Sequence, residues 1–153
     1  MEEQRHFWLD VDGGDTVQFL DQVYRMKASG AQTGGSFGLV EVSTPQGSGP
    51  PPHVHEREDE AFYVLEGSYE VTVGDDRFDA GEGSFIFAPR GVPHGYVIKA
   101  APARHLGFVF PSGWETFFHD VVRATGGSAP APAVMAELAK ERGVTLLGPP
   151  PAP

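Results

Sequence analysis

Apolar residues along this chain fall in short runs, and a turn signal interrupts them about every eight to twelve residues. That is the rhythm of an all-β sandwich or barrel. Residues 7–11, 16–20 and 23–28 read as three short strands, the first closed by Asp12-Gly13-Gly14-Asp15, and 30–35 as a loop. Residues 36–43 place Phe37 and Leu39 on one parity of a further strand. The stretch 47–52 ends in three prolines, which cannot donate to a ladder, so it reads as an edge or a loop. Residues 61–65 and 69–73 read as two strands of a hairpin joined through Glu66-Gly67-Ser68. Strands follow at 77–80, 84–88, 95–99 and 105–110, separated by Gly- and Pro-bearing turns.

After residue 110 the period changes. Trp114, Phe117, Phe118, Val121 and Val122 recur at helical spacing and predict a helix over 112–125. Ser112 and Glu115 are spaced as a capping box. That stripe reads as a helix covering a barrel, or packing on a partner copy, rather than as a cofactor site. Residues 132–142 form a second helix ended by Gly143, and 148–153 an extended proline-rich tail. The chain is expected to be one domain over 1–153: N-terminal strands in 1–35, a barrel in 36–110, and C-terminal helices with the tail in 111–153.

With 153 residues, 40% of them hydrophobic and 11 of them phenylalanine, there is enough apolar matter for a core. The net charge of −10 argues against nucleic acid or an anionic membrane surface as partner, because like charges repel. Cysteine is absent, which removes disulfides and thiolate ligands. No long apolar run and no signal-like start are present, so the expectation is a soluble, cytoplasmic protein.

Chemistry concentrates in four residues. His53 and His55 sit at i and i+2 on an extended segment and share a face. Glu60 enters the next strand, and His94 arrives from far downstream. Three imidazoles and a carboxylate could close around one divalent transition ion: Ni, Fe, Mn, Co, Cu or Zn. The bland alternative is a surface histidine pair beside a solvated Glu58-Asp59-Glu60 cluster. Glu58 shares the parity of Glu60 and stays a fallback ligand. His105, on a barrel strand, could support the ligands from behind; His6 and His119 read as structural or exposed. Tyr24 and Tyr63 read as packing residues. By strand parity Phe37, Leu39, Phe62, Tyr96 and Ile98 are candidates to line a substrate pocket.

The spacing of Gly47, His53, His55, Glu60 and Gly67, followed by Gly83, Pro89, Gly91 and His94, resembles both motifs of the cupin superfamily across 36–110. Ile98 stands where the second motif usually has asparagine, a residue that is not a ligand. The resemblance implies a double-stranded β-helix, or jelly roll, with a metal held by His53, His55, Glu60 and His94. Within the cupins, Pro51-Pro52-His53-Val54-His55, Asp59-Glu60-Ala61-Phe62-Tyr63-Val64-Leu65-Glu66-Gly67 and Phe87-Ala88-Pro89-Arg90-Gly91-Val92-Pro93-His94 are similar to small bacterial single-domain proteins like quercetin 2,3-dioxygenase. That implies an oxidoreductase cleaving a flavonol or related phenol with O2, with Glu60 as both ligand and general base. It also implies a homodimer joined through the first strands or the C-terminal helices. Two other readings stand beside it: a metal-dependent non-redox polyketide cyclase or isomerase, and a non-catalytic small-molecule binder.

Overall fold

A computed structural model describes residues 5–151. In chain order its elements are β1 (Thr16–Phe19), β2 (Gln22–Ala28), the single-turn α1 (Gly30–Thr33), β3 (Gly38–Thr44), β4 (His53–His55), β5 (Asp59–Val73), β6 (Asp76–Ala80), β7 (Phe85–Ala88) and β8 (His94–Phe110). A 3-10 turn (Trp114–Thr116), α2 (Phe117–Thr125), α3 (Pro132–Glu141) and β9 (Val144–Leu146) follow. The strands make one curled sheet, the jelly-roll barrel expected, and the helices come after it.

Two long strands organise it. β5 and β8 run antiparallel along their whole lengths, from Asp59 opposite Phe110 to Val73 opposite His94. The first half of β5 also pairs with β7, and its second half with β6. β8 carries β3 on its C-terminal half and touches β4 at its first residue. The outer strands β2 and β1 extend the β3 edge. Each long strand therefore serves two parts of the barrel and must turn a corner between them.

That corner corrects the expected hairpin. Residues 61–65 and 69–73 belong to the same strand, with the register slipping between Val64 and Tyr69. Gly67 sits in the bulge at φ +89, and a Cβ there would lie 2.6 Å from the Pro102 carbonyl oxygen. Glycine allows both the positive φ and the close approach. A glycine between two apolar runs signals a change of direction, and a corner satisfies it as well as a reversal does. The expected strands 95–99 and 105–110 likewise merge into β8.

Other expectations are corrected at the edges. Residues 7–11 form no strand; the carbonyls of Asp10, Val11 and Gly13 accept hydrogen bonds from Lys27 and Arg25 side chains instead of a ladder. The loop at 30–35 contains one helical turn. The helix of 112–125 starts as a 3-10 turn without a Ser112 cap, because the Glu115 carboxylate accepts from Gly30 N (2.8 Å) and Gly113 N. The short β9, in a stretch to which the sequence assigned no element, pairs with β4 along all three residues.

The core has two parts. Phe19, Tyr24, Val42, Val109, Trp114, Phe117 and Val121 join the sheet to the C-terminal helices, which cover the barrel as the apolar stripe predicts. Phe62, Val64, Tyr69, Val71, Ile86 and Ile98 fill the other end.

Candidate metal centre and its cavity

β4 is three residues long and its outer two side chains point inward. β9 binds one edge of β4, and β8 meets its other side where His53 stands opposite His94. Glu60, one residue into β5, reaches the same point. The structure thus brings together all four residues that the spacing singles out. Their nearest nitrogen and oxygen atoms lie within 4.8 Å of one another, and all four side chains are buried. The surface-decoration alternative is excluded by that burial.

Hydrogen bonds fix how each ring is turned. His53 Nδ1 lies 2.8 Å from the Pro51 carbonyl, and His94 Nδ1 lies 3.1 Å from the Val92 carbonyl. Carbonyl oxygens only accept, so both Nδ1 atoms carry hydrogen. His55 Nδ1 faces the Glu58 carboxylate at 3.0 Å. Each ring therefore directs Nε2 inward. Those atoms lie 2.7 Å (His94), 3.0 Å (His55) and 3.6 Å (His53) from one oxygen, Oε2 of Glu60.

Neutral imidazoles in this tautomer would aim three lone pairs at a carboxylate oxygen. Such an arrangement requires protons or a cation. Protonation does not serve all three rings: burial lowers the affinity of His53 for a proton, despite its contact with Glu60. His55 suffers burial too, but Glu58 and Glu60 outweigh it and raise its pKa to about 9. Burial works against an ionised Glu60, yet the three histidines hold it well below the usual carboxylate range. His55 Nε2 is buried with no hydrogen-bond partner among the described residues. Three imidazole Nε2 atoms and an ionised carboxylate at one point, with every ring held from behind, fit a divalent transition ion, which would displace the His55 proton.

Glu58 is therefore the acceptor that orients His55 rather than the fallback ligand. His105 supports none of the four by a hydrogen bond; its Nδ1 meets Tyr69 Oη at 3.1 Å. His119, read as structural or exposed, is buried on α2 and meets the Asp15 carbonyl at 2.8 Å through Nε2.

His53 and Glu60 form part of the wall of a cavity of about 810 Å³, a size suited to a small organic ligand. Phe62, Tyr96 and His105 line it, and Trp114, Phe117 and Phe118 close it from the helical side. Of the five candidate pocket residues, Phe62 and Tyr96 are there. Phe37 and Leu39 are not: Val40 and Val42 hold the inward parity of β3, while Phe37 packs against Phe108 and Phe110. Ile98 is 1% exposed and belongs to the core beyond the cavity. Tyr24 lines the cavity, whereas Tyr63 is exposed on the outside. Gln22, Thr44 and Trp114 carried no signal as site residues in the sequence.

The fold and the site define a class. Residues 40–106 match the cupin domain family. Quercetin 2,3-dioxygenase of Bacillus subtilis is 29% identical over 110 residues, 72% of this chain and 33% of that protein. The chain thus aligns with about a third of the length of that curated relative. Among solved structures, KdgF from Halomonas sp. superposes with a TM-score of 0.64 at 22% identity, covering 71% of this chain and 96% of that one, and shows the fold alone. The polyketide cyclase RemF from Streptomyces resistomycificus superposes with a TM-score of 0.53 at 27% identity, covering 73% and 81%. No helix among the described residues is long and apolar enough to cross a membrane.

Proposed function

We propose that this chain is a metal-dependent dioxygenase that opens the central ring of a flavonol or related phenol with O2, releasing carbon monoxide. The observation that carries the proposal is the convergence of three Nε2 atoms and Glu60 Oε2 at the wall of an apolar cavity that Phe62, Tyr96 and Trp114 help to line. Likeness to quercetin 2,3-dioxygenase supplies the reaction class.

His53, His55, Glu60 and His94 would hold the ion. When bound, it supplies a Lewis acid for the substrate oxygen and, if redox-active, a route for electrons to O2. The remaining work belongs to the chain. Glu60 lies on the cavity wall beside the three imidazoles, where its carboxylate is placed to take the proton of the incoming hydroxyl. Phe62 and Tyr96 bound the substrate's flat faces, and the α2 aromatics keep bulk water from the reacting ring. Glu58 holds His55 in the tautomer that leaves Nε2 inward. A homodimer and a cytoplasmic location complete the reading.

A second reading, a non-redox polyketide cyclase or isomerase, is favoured by the likeness to RemF. Metal analysis of protein purified without added metal comes first, followed by flavonol turnover with and without oxygen. Oxygen uptake matched by carbon monoxide supports the dioxygenase. Turnover under strict anaerobiosis, with zinc sufficient, transfers the assignment to the cyclase. Glu60→Gln retaining both metal and full turnover would remove the general base from the mechanism.

A further inference from the structure

On the cavity wall, a buried amide collects hydroxyl groups. Gln22, the first residue of β2, is 4% exposed. Its Oε1 faces Tyr24 Oη at 3.2 Å, Thr44 Oγ1 at 3.4 Å and Tyr96 Oη at 3.4 Å. One carbonyl oxygen with two lone pairs cannot serve three hydroxyls well, and all three distances are long for O–H donors. The amide nitrogen brings two more donors, which bond to no side chain that meets Oε1, and Gln22 lies on the cavity lining. The hydroxyls also accept, and Thr44 bonds Tyr96, so what the cluster leaves open is the amide N–H pair of Gln22.

His105 stands beside it. Its ring lies edge-on to Tyr96 at 5.2 Å, and only Nδ1 has a partner, Tyr69 Oη. Nε2 has none among the described residues, and burial keeps the imidazole neutral, its pKa pushed down to about 4. Phe62 bridges the two polar ends of the space. Its ring is 6.0 Å from that of His94 and 5.4 Å from that of His105. The cavity therefore has a metal-type donor set at one point, an aromatic middle, and unfinished neutral hydrogen bonding at another. Lysine and arginine are absent from its lining among the described residues.

We infer that Gln22, Tyr96 and His105 form a second binding subsite that takes an uncharged oxygen group, a phenolic hydroxyl or ring carbonyl, on the part of the substrate remote from Glu60. An oxygen placed there accepts from the Gln22 amide N–H, which a bare hydrocarbon ring leaves without a partner from the ligand. Without a cationic side chain, the subsite gives no reward to a carboxylate, sulfate or phosphate. The substrate class that follows is a flat aromatic with oxygen functions at two separated positions and an apolar body between them. This subsite rests on the proposed function only for where the first oxygen binds.

The test is equilibrium binding in anaerobic buffer, followed by quenching of tryptophan fluorescence and checked by calorimetry, with metal-loaded protein. Two probes suffice: 3-hydroxyflavone, which lacks hydroxyls on its outer rings, and quercetin, which carries them. The unmodified chain should prefer quercetin by about tenfold or more, the scale of one or two buried hydrogen bonds. Gln22→Leu and Tyr96→Phe should each weaken quercetin about tenfold, leave 3-hydroxyflavone within about twofold, and leave metal content unchanged. Should Gln22→Leu fail to fold, Tyr96→Phe and His105→Asn carry the same comparison. Equal weakening of both probes, unchanged selectivity in the variants, no preference in the unmodified chain, or no binding of either probe would each overturn the subsite. Retained selectivity without oxygen uptake in air removes the dioxygenase reading and leaves the subsite standing.

Discussion

Five histidines of this chain are buried to within 7% exposure, and they fall into two groups that burial does not separate. His53, His55 and His94 tie Nδ1 to an acceptor behind the ring and turn Nε2 toward a shared point. His105 and His119 each have one hydrogen-bonded nitrogen as well, but the other nitrogen of each meets no shared point. What distinguishes a metal-ligand set from the other buried histidines here is the direction of the free nitrogen and the company it keeps. Three rings converging on one carboxylate oxygen constitute a charge problem that an ion solves. A single ring against a tyrosine or a carbonyl constitutes none.

The sharpest test of that distinction is removal of one member from each group. His94→Ala should cost more than about 100-fold in metal affinity, exceeding the usual loss for a residue behind a ligand. Stoichiometry after dialysis against a weak chelator reads it directly. His119→Gln in the same assay should retain its metal.

The second effect separates His105 by pH. Burial lowers its pKa to about 4, against 6.5 when unfolded. Between those values the unfolded chain holds a proton that the folded chain refuses, so stability is complete above pH 6.5 and declines as pH falls toward 4. A difference of that size corresponds to roughly 3 kcal/mol. Denaturant unfolding of metal-free protein across pH 4–6.5 should show a shallower pH dependence in His105→Gln than in the parent. Identical slopes would mean that the imidazole is not held neutral.

Glu58→Gln comes next. It leaves an acceptor for His55 Nδ1 but removes the charge, and metal affinity should fall about 10- to 100-fold with little change in the fold. Competition against a chromogenic chelator measures it. Smallest is His119→Phe, which removes the bond to Asp15 and should cost about 1–2 kcal/mol of unfolding free energy, with metal content unaltered.

How much of this was readable beforehand depends on the residue. The His53-His55 pair was legible because alternation on a strand leaves one answer, and Glu60 and His94 were legible because glycines and a proline at fixed distances framed them. Glu58 was visible only as a fallback ligand, because a carboxylate three residues from a histidine can bind either the ion or the ring. Phe37 and Leu39 failed as pocket residues because Val40 and Val42 are equally apolar. When both parities of a strand are apolar, alternation cannot say which one faces in. Gly67 marked a bend correctly, but a bend within β5 and a reversal between two strands have the same local signature. β9 was missed since three residues are too few to display a period.

Local order thus determined the strand rhythm, the helical stripe over the barrel and the identity of the candidate ligands, because each depends on neighbours a few residues apart. Tertiary structure alone decided which imidazole nitrogen is free, which face of β3 is inside, and that Gln22 meets Tyr96 across 74 positions of chain. Hydrogen bonds respond to distances of tenths of an ångström between segments far apart in sequence, and no local pattern carries that information.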